Sequence, residues 1–469
     1  MKKFAILVVT LIMLAIPLQP VKAAYPSSYS STVNVTNTTS GDGVISLTFY
    51  NSAGVAVYSF DEDIAGYETK YITSFGELSS SFDGSLVISS SVALASLSML
   101  QGKNSVGSVM NYASYIGTSI GSADVYLPLL MKNNYGYNTY FYVQNTSGSP
   151  IDVDITYTDG TSNTTIRGLA SSAAVKIDNR LESHSTLSFS AHLVVTGGTV
   201  AVAVVEYSSG DQGDQLYAYS GFPSGSVEPI FPMINENNYG YWTSANIQNT
   251  GEQSTTVTVT YMPTQAGTLC TETQTIPAHG KRDFATYAFA WDPKLYTYSV
   301  STNCARYQKF IGTAVVTANS NNQPLVGIVN QINNADDPNK GAALMSLNPD
   351  NGTDTVVFPN IQQWVGSQQW WTSWNIINVS DSNIAAGEIV CTVSDSGTSR
   401  VFTNPTSLAD GKGWLQQFYR SGTPLPNGFI GGAVCTTTTG AKIVGSANIL
   451  AANAGIAIDS LAVYEGINP

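Results

Sequence analysis

Three histidines are all that this 469-residue chain offers for imidazole chemistry: His184 in ESHST, His192 inside an alternating apolar run, and His279 in PAHG. None has a second histidine or a glutamate at metal-ligand spacing, so zinc hydrolysis has no ligand set, and the three read as surface or strand residues. The stretch GTSIG at 117 to 121 matches the nucleophile-elbow pattern around Ser119. That acyl-transfer motif needs a buried strand feeding a helix. Here it falls in a Ser/Gly-rich link and reads as a chance match. Phosphate loops are absent as well, so no catalytic residue is assigned and the chain reads as non-enzymatic.

Oxygen-rich clusters come next: Asp61-Glu62-Asp63, Asp211 with Asp214, Asp336-Asp337, and Asp350 with Asn351 and Asp354. Alternate oxygen side chains in loops suit calcium, and the Asp350, Asn351, Asp354 link is the best candidate for a structural ion. Without a full ligand series the clusters read first as solvated turns. No other cofactor is implied. Sequons at Asn34, Asn37, Asn145, Asn163, Asn351 and Asn378 would permit glycosylation, yet asparagine in turns explains them equally well.

The four cysteines fall two and two along the chain. In an exported protein that distribution points to disulfides, and the pairing Cys270 with Cys304 and Cys391 with Cys435 closes the shorter loops of the three connectivities.

Aromatic side chains remain. Trp364, Trp370, Trp371 and Trp374 crowd one stretch, and Tyr135, Tyr137, Tyr239, Tyr241 and Trp242 occupy two others. Exposed flat rings can stack on sugars. Trp374 lies on the apolar register and should be core, as should the aromatic four residues before it. Trp242, Trp364 and Trp371 are left as candidates for a ligand platform.

The elements that would position these residues are legible from the N-terminus onward. Lys2 and Lys3, an apolar run from Phe4 to about Leu18, and the small residues Val21 and Ala23 form the layout of a secretory signal peptide, residues 1–23, cut before Ala24. No later stretch is long and apolar enough to span a bilayer. Without Lys2, Lys3 and Lys22 the chain carries 16 basic and 32 acidic residues, a formal charge of −16, which makes nucleic acid and anionic membrane poor partners. Charged residues are only 11% of the chain, far below the usual quarter. Hydroxyls and amides supply the polar surface instead, which suits strands and turns of an extracellular all-β protein.

One phrase recurs. Tyr137 to Asn145 (YNTYFYVQN) aligns with Tyr241 to Asn249 (YWTSANIQN), Trp370 to Asn378 (WWTSWNIIN) and, more faintly, Tyr29 to Asn37 (YSSTVNVTN). Apolar residues two and four places before the asparagine predict a strand with one buried face, and the asparagine begins a turn. Paired strands follow in each copy, for example FIGTAVVTANSNNQPLVGIVNQ at 310 to 331. The shared positions of the phrase should therefore be the buried ones, and its variable positions Asn138, Trp242 and Trp371 the outward ones.

About seven short strands per 100 residues predict a β-sandwich per copy. The expected architecture is all-β: four tandem immunoglobulin-like sandwiches after the signal peptide, at 24–123, 124–227, 228–354 and 355–469, strung as a rod. The first is divergent because it lacks the apolar-Pro step that opens the others (YLPLLM, IFPMIN, VVFP).

From that apolar-Pro step through Asn-Thr-Gly and VTVTY, the chain resembles tandem β-sandwich repeats of exported bacterial proteins. It is loosely similar to CARDB-type adhesion domains. The resemblance implies fold and location only, and carries over no functional residue. The expectation is a secreted, structural or adhesive protein of the cell surface or matrix, whose partners are itself, other surface proteins or polysaccharide. The alternative is an array of carbohydrate-binding modules using exposed Trp and Tyr.

Overall fold

The computed structural model describes residues 28–469 except 74, 76–77, 80, 105, 162, 209–214, 290–299, 320, 334–339, 420–424 and 453–458. The expected signal peptide and the acidic pairs Asp211 with Asp214 and Asp336 with Asp337 lie outside the described residues.

Strands follow wherever apolar and polar residues alternate. The first set is β1 (Ser28–Asn37), β2 (Gly43–Asn51), β3 (Ala56–Ile64), β4 (Thr69–Ile72), β5 (Gly84–Ser90), β6 (Leu94–Lys103) and β7 (Val109–Ile116). The second is β8 (Asp124–Met131), β9 (Tyr137–Asn145), β10 (Ile151–Tyr157), β11 (Thr164–Leu169), β12 (Ala174–Asp178), β13 (Ser188–Thr196), β14 (Val200–Ser208) and β15 (Leu216–Ser220). The third is β16 (Ile230–Glu236), β17 (Tyr241–Asn249), β18 (Thr255–Ala266), β19 (Cys270–Ile276), β20 (Lys281–Phe284), the short β21 (Ser301–Thr302), β22 (Phe310–Ala318), β23 (Leu325–Asn333) and β24 (Lys340–Met345). The fourth is β25 (Thr355–Gln363), β26 (Trp370–Asn378), β27 (Ile389–Ser394), β28 (Ser399–Thr403), β29 (Gly413–Gln417), β30 (Phe429–Thr437), β31 (Ile443–Ala451) and β32 (Leu461–Glu465).

The second set forms two antiparallel sheets ordered β11-β10-β13-β8 and β12-β9-β14-β15. The fourth set repeats that order position for position, and the third does so with β21 added at one edge. In the first set the orders are β3-β2-β5 and β4-β1-β6-β7, so its smaller sheet has no counterpart of β8, β16 or β25. Those three strands carry the apolar-Pro step. Each proline sits where the register shifts against the neighbouring strand, at Leu127 to Leu130, Phe231 to Ile234 and Phe358 to Ile361. A bulge tolerates the missing N–H.

The closing asparagine of the phrase does the same work four times. Asn145 Nδ2 donates to Ser149 O at 2.8 Å and Leu169 O at 2.9 Å, while its Oδ1 accepts from Ser147 N at 2.7 Å. Asn37 bonds Gly41 O, Ala65 O and Thr39 N; Asn249 bonds Gln253 O, Pro277 O and Gly251 N; Asn378 bonds Ser382 O, Leu408 O and Ser380 N. One buried amide thus satisfies three backbone groups that the turn would otherwise orphan.

Both cysteine pairs are disulfides, Cys270–Cys304 and Cys391–Cys435. Cys391 and Cys435 face each other across β27 and β30 of one sheet, and the other bridge ties Cys270 on β19 to Cys304 just after β21, which pairs with β19.

The sets do not form a rod. Their last strands pack cyclically, β7 on β15, β15 on β24, β24 on β32 and β32 on β7, which closes a ring. Side chains stitch the four together: Ser220 Oγ donates to Ile116 O at 2.8 Å, Gln215 Nε2 to Lys340 O at 2.7 Å, and Ser114 Oγ to Val463 O at 2.9 Å. Met345 N donates to Glu465 Oε1. The partners advance together along the chain, so the four strands run parallel about one axis. Sequence reasoning missed this closure because the strands look like ordinary edges.

Between neighbours, the sheet bearing β8 packs on β17 and β23, and the sheet bearing β25 packs on β1 and β6. The first set has no such strand to offer the second. Its place is filled by side chains on the outer face of β9 and β14: Tyr140, Tyr142, Val205 and Tyr207 pack with Leu100, Ala113 and Tyr115 of the first set. Tyr29 meets Tyr140 edge-on at 6.0 Å. The positions matching Tyr140 and Tyr142 hold Ser244 and Asn246 in β17 and Ser373 and Asn375 in β26, where a full strand already occupies the space. The aromatic excess of the second phrase is therefore packing that replaces a missing strand.

Candidate binding surface

The turn from the first to the second strand of a set is where the structure departs most from the sequence reading. Asn134 and Tyr137 exchange backbone hydrogen bonds around Tyr135-Gly136, and Asn238 and Tyr241 do so around Tyr239-Gly240. Both central residues have positive φ, 51° and 87° in one turn, 50° and 85° in the other. This is the two-residue hairpin turn whose twist matches its strands and which favours Asn-Gly. Tyrosine in the left-handed region costs about 1–2 kcal/mol, so each turn carries strain that asparagine would relieve.

These rings point to solvent. Tyr135 is 69% exposed and Tyr239 84% exposed. Tyr135 and Tyr239, shared by NNYGY at 133–137 and 237–241, lie just before the recurring phrase. The phrase's own shared apolar and asparagine positions are buried, as the alternation predicts, whereas its variable positions Asn138, Trp242 and Trp371 are not the outward ones expected. Lys309 Nζ lies 4.7 Å over the Tyr239 ring, and Asn237 Nδ2 donates to Gln308 O at 3.1 Å beside it. In the fourth set the turn is longer, closed by the Val365–Trp370 bridge, and half-buried Trp364, φ 50°, precedes it at the position that Asn133, φ 52°, and Asn237, φ 49°, hold in the other two. The exposed left-handed aromatic inside the turn therefore belongs to the second and third sets. Because the sets share one topology and their last strands run parallel, the three turns project from the same end of the ring.

The other tryptophan candidates lie elsewhere. Trp242 is half-buried and packs against the core shared by the second and third sets, at their joint, so it is not an open platform. Trp371 is also half-buried, with its ring 4.3 Å from that of Tyr419. Trp374 is fully buried and Trp370 nearly so, as the alternation requires. Asn138 is buried too, and its Oδ1 accepts from Asn133 N at 2.8 Å.

Asp350 and Asn351 are exposed on a 3₁₀ turn capped by Asn348, and Asp354 Oδ1 accepts from Thr355 Oγ1 at 3.0 Å. Among the described residues no group of three or more His, Cys, Asp or Glu side chains is arranged to hold a metal ion. Ser119 is exposed on the link between β7 and β8 with no helix after it.

Each histidine is tied to carboxylates. His192 Nε2 lies 3.0 Å from Asp124 Oδ1, and His279 Nε2 lies 3.0 Å from Glu252 Oε2. His184 is not the surface residue expected: its ring is buried, stacked on Phe189 at 3.8 Å, with Asp159 Oδ2 at 3.3 Å and Glu182 Oε2 at 3.2 Å from its two nitrogens. Burial opposes ionisation of Glu182, but hydrogen bonds from His184, Tyr157 and Thr164 outweigh it and hold the carboxyl below its ordinary range.

Sequence reasoning also missed the buried acids around the axis. Asp459 touches all four sets: it belongs to the fourth, accepts from Gly341 N at 3.0 Å and Leu216 N at 3.3 Å, and its own N–H donates to Met110 O at 2.7 Å. Burial drives its carboxyl well above the ordinary range, although the backbone donors oppose this. Glu206 on β14 accepts from Asn330 Nδ2 at 2.6 Å, and burial pushes it up to about 8 against the opposing effects of that bond and of Lys281. Burial takes Glu465 to about 7. The one available signal was a lone acid in an apolar run, as in VAVVEY and LAVYEG.

No family model matches the chain, and neither a curated protein nor a solved structure matches it. No helix among the described residues is long and apolar enough to cross a membrane.

Proposed function

We propose that the chain is an exported, non-enzymatic structural or adhesive protein of the cell surface or extracellular matrix, built from four immunoglobulin-like sandwiches. The observation that carries this reading is the closed ring. Joints between tandem modules are commonly small and mobile, whereas here four buried strands and the acids beside them join the sets into one body. That body holds two strained, tyrosine-tipped turns toward the same side, an arrangement that suits display. Two disulfides, the low charge and the sequence of residues 1–23 support export.

Fractionation of the source cells, with protease added to intact cells, tests location. The chain should appear in the medium or be cut on the surface, and protection inside the cell would overturn export. Light scattering and negative-stain imaging of residues 24–469 should show discrete four-lobed particles or ordered assemblies of them. Extended rods would contradict the ring on which the reading rests, and turnover of a glycoside, ester or peptide substrate would remove the non-enzymatic part.

A further inference from the structure

We propose that Tyr135 and Tyr239 form one repeated recognition surface, and that its ligand is a neutral polysaccharide. The inference deepens the adhesive reading by naming what is bound. Export and surface location are read by fractionation and stand or fall without it.

Two independent turns keep a tyrosine where the backbone favours asparagine or glycine. Strain that persists in both copies while the side chain makes little contact with its own fold points to a role outside the fold. Tyr135 and Tyr239 are largely exposed, and Lys309 covers only one face of the Tyr239 ring. Open ring faces stack on the C–H surface of a pyranose, and their hydroxyls stay free to bond. The same turns carry amides rather than charges: NNYGY has Asn133 and Asn134 in one, Asn237 and Asn238 in the other. Amides and one nearby cation, Lys309, pair with sugar hydroxyls. A chain with formal charge −13 repels uronate, sulfate and phosphate polymers. Two sites fixed to one rigid ring also bind a repeating polymer more tightly than either of them binds a short oligomer.

The test uses the chain from Ala24 in native gels cast with hydroxyethyl cellulose, laminarin, soluble starch or galactomannan, with alginate as the anionic control. At least one neutral polymer should retard it. Combining Tyr135→Asn and Tyr239→Asn should weaken that retardation at least 10-fold, each single change several-fold, and Tyr135→Phe little. Asparagine suits the left-handed turn, so the double variant should unfold at the same or a higher denaturant concentration. Retardation by no neutral polymer, retardation by alginate alone, or a double variant that binds like the parent overturns the proposal. Loss of binding with a lowered unfolding midpoint also overturns it, since the rings would then serve the fold.

Discussion

Replacing Glu206 by glutamine should stabilise the ring at neutral pH and do nothing at pH 4. Glu206 is fully buried and meets Asn330 at the joint between the second and third sets. Burial lifts its folded pKa to about 8 from an ordinary 4.5. A carboxyl with a raised folded pKa contributes its full stability below about 4.5 and loses it as pH climbs towards 8. At pH 7 the unfolded carboxylate is ionised and the folded one still protonated, a gap of about 2.5 units or about 3 kcal/mol against folding. Glutamine never ionises, keeps an acceptor for Asn330 Nδ2 and brings a donor for Asn330 Oδ1, which is buried without one. Urea unfolding of parent and Glu206→Gln at pH 4, 5, 6, 7 and 8 reads the effect. The difference should grow from near nil to about 3 kcal/mol by pH 7. A variant less stable at every pH, or a difference that ignores pH, would refute the claim that this carboxyl is buried in its neutral form.

Asn378→Ala removes three hydrogen bonds from one turn and should cost about 2–4 kcal/mol in urea unfolding, against less than about 0.5 for exposed Asn351→Ala. Tyr140→Ser installs the residue of the third copy where no strand fills the space, and should cost about 3–5 kcal/mol while speeding amide exchange in β1 and β9. The reverse change, Ser244→Tyr, overpacks a full joint and should cost about 1–3 kcal/mol. Reducing Cys391–Cys435, which closes a separation of 44 residues, should lower stability by about 4 kcal/mol, read as unfolding with and without dithiothreitol.

Period-two alternation made the strands legible, and the asparagine phrase made the repeat legible, because both follow from one backbone geometry used four times. The absent apolar-Pro step marked the first copy as divergent, and the structure shows that a strand is missing there. What replaced that strand was not legible, since Tyr140 and Tyr142 lie on the outward parity, where alternation does not say which neighbour covers them. The turn was not legible for a related reason. Parity counted back from Asn145 holds along β9 but breaks at Tyr135-Gly136, where two left-handed residues reverse the chain, so the shared tyrosine ends outside. Asp459 could not be placed either, because its three backbone partners belong to three other sets and lie hundreds of residues away.

Three joints of the ring connect sets adjacent in the chain, and the fourth joins first to last with no peptide between them. The molecule is in effect a bracelet with a clasp, and Asn360 Nδ2 donating to Asn34 Oδ1 at 3.4 Å is part of that clasp. During synthesis the first set must wait for the last 100 or so residues before its outer face is covered, so the half-made chain presents Leu97 and Met99 to solvent until β25 arrives. Opening the clasp needs no set to unfold. Two opened chains that fasten to each other would make a longer loop of the same contacts, a concentration-dependent exchange that refolding at high and low protein concentration followed by size-exclusion chromatography would reveal.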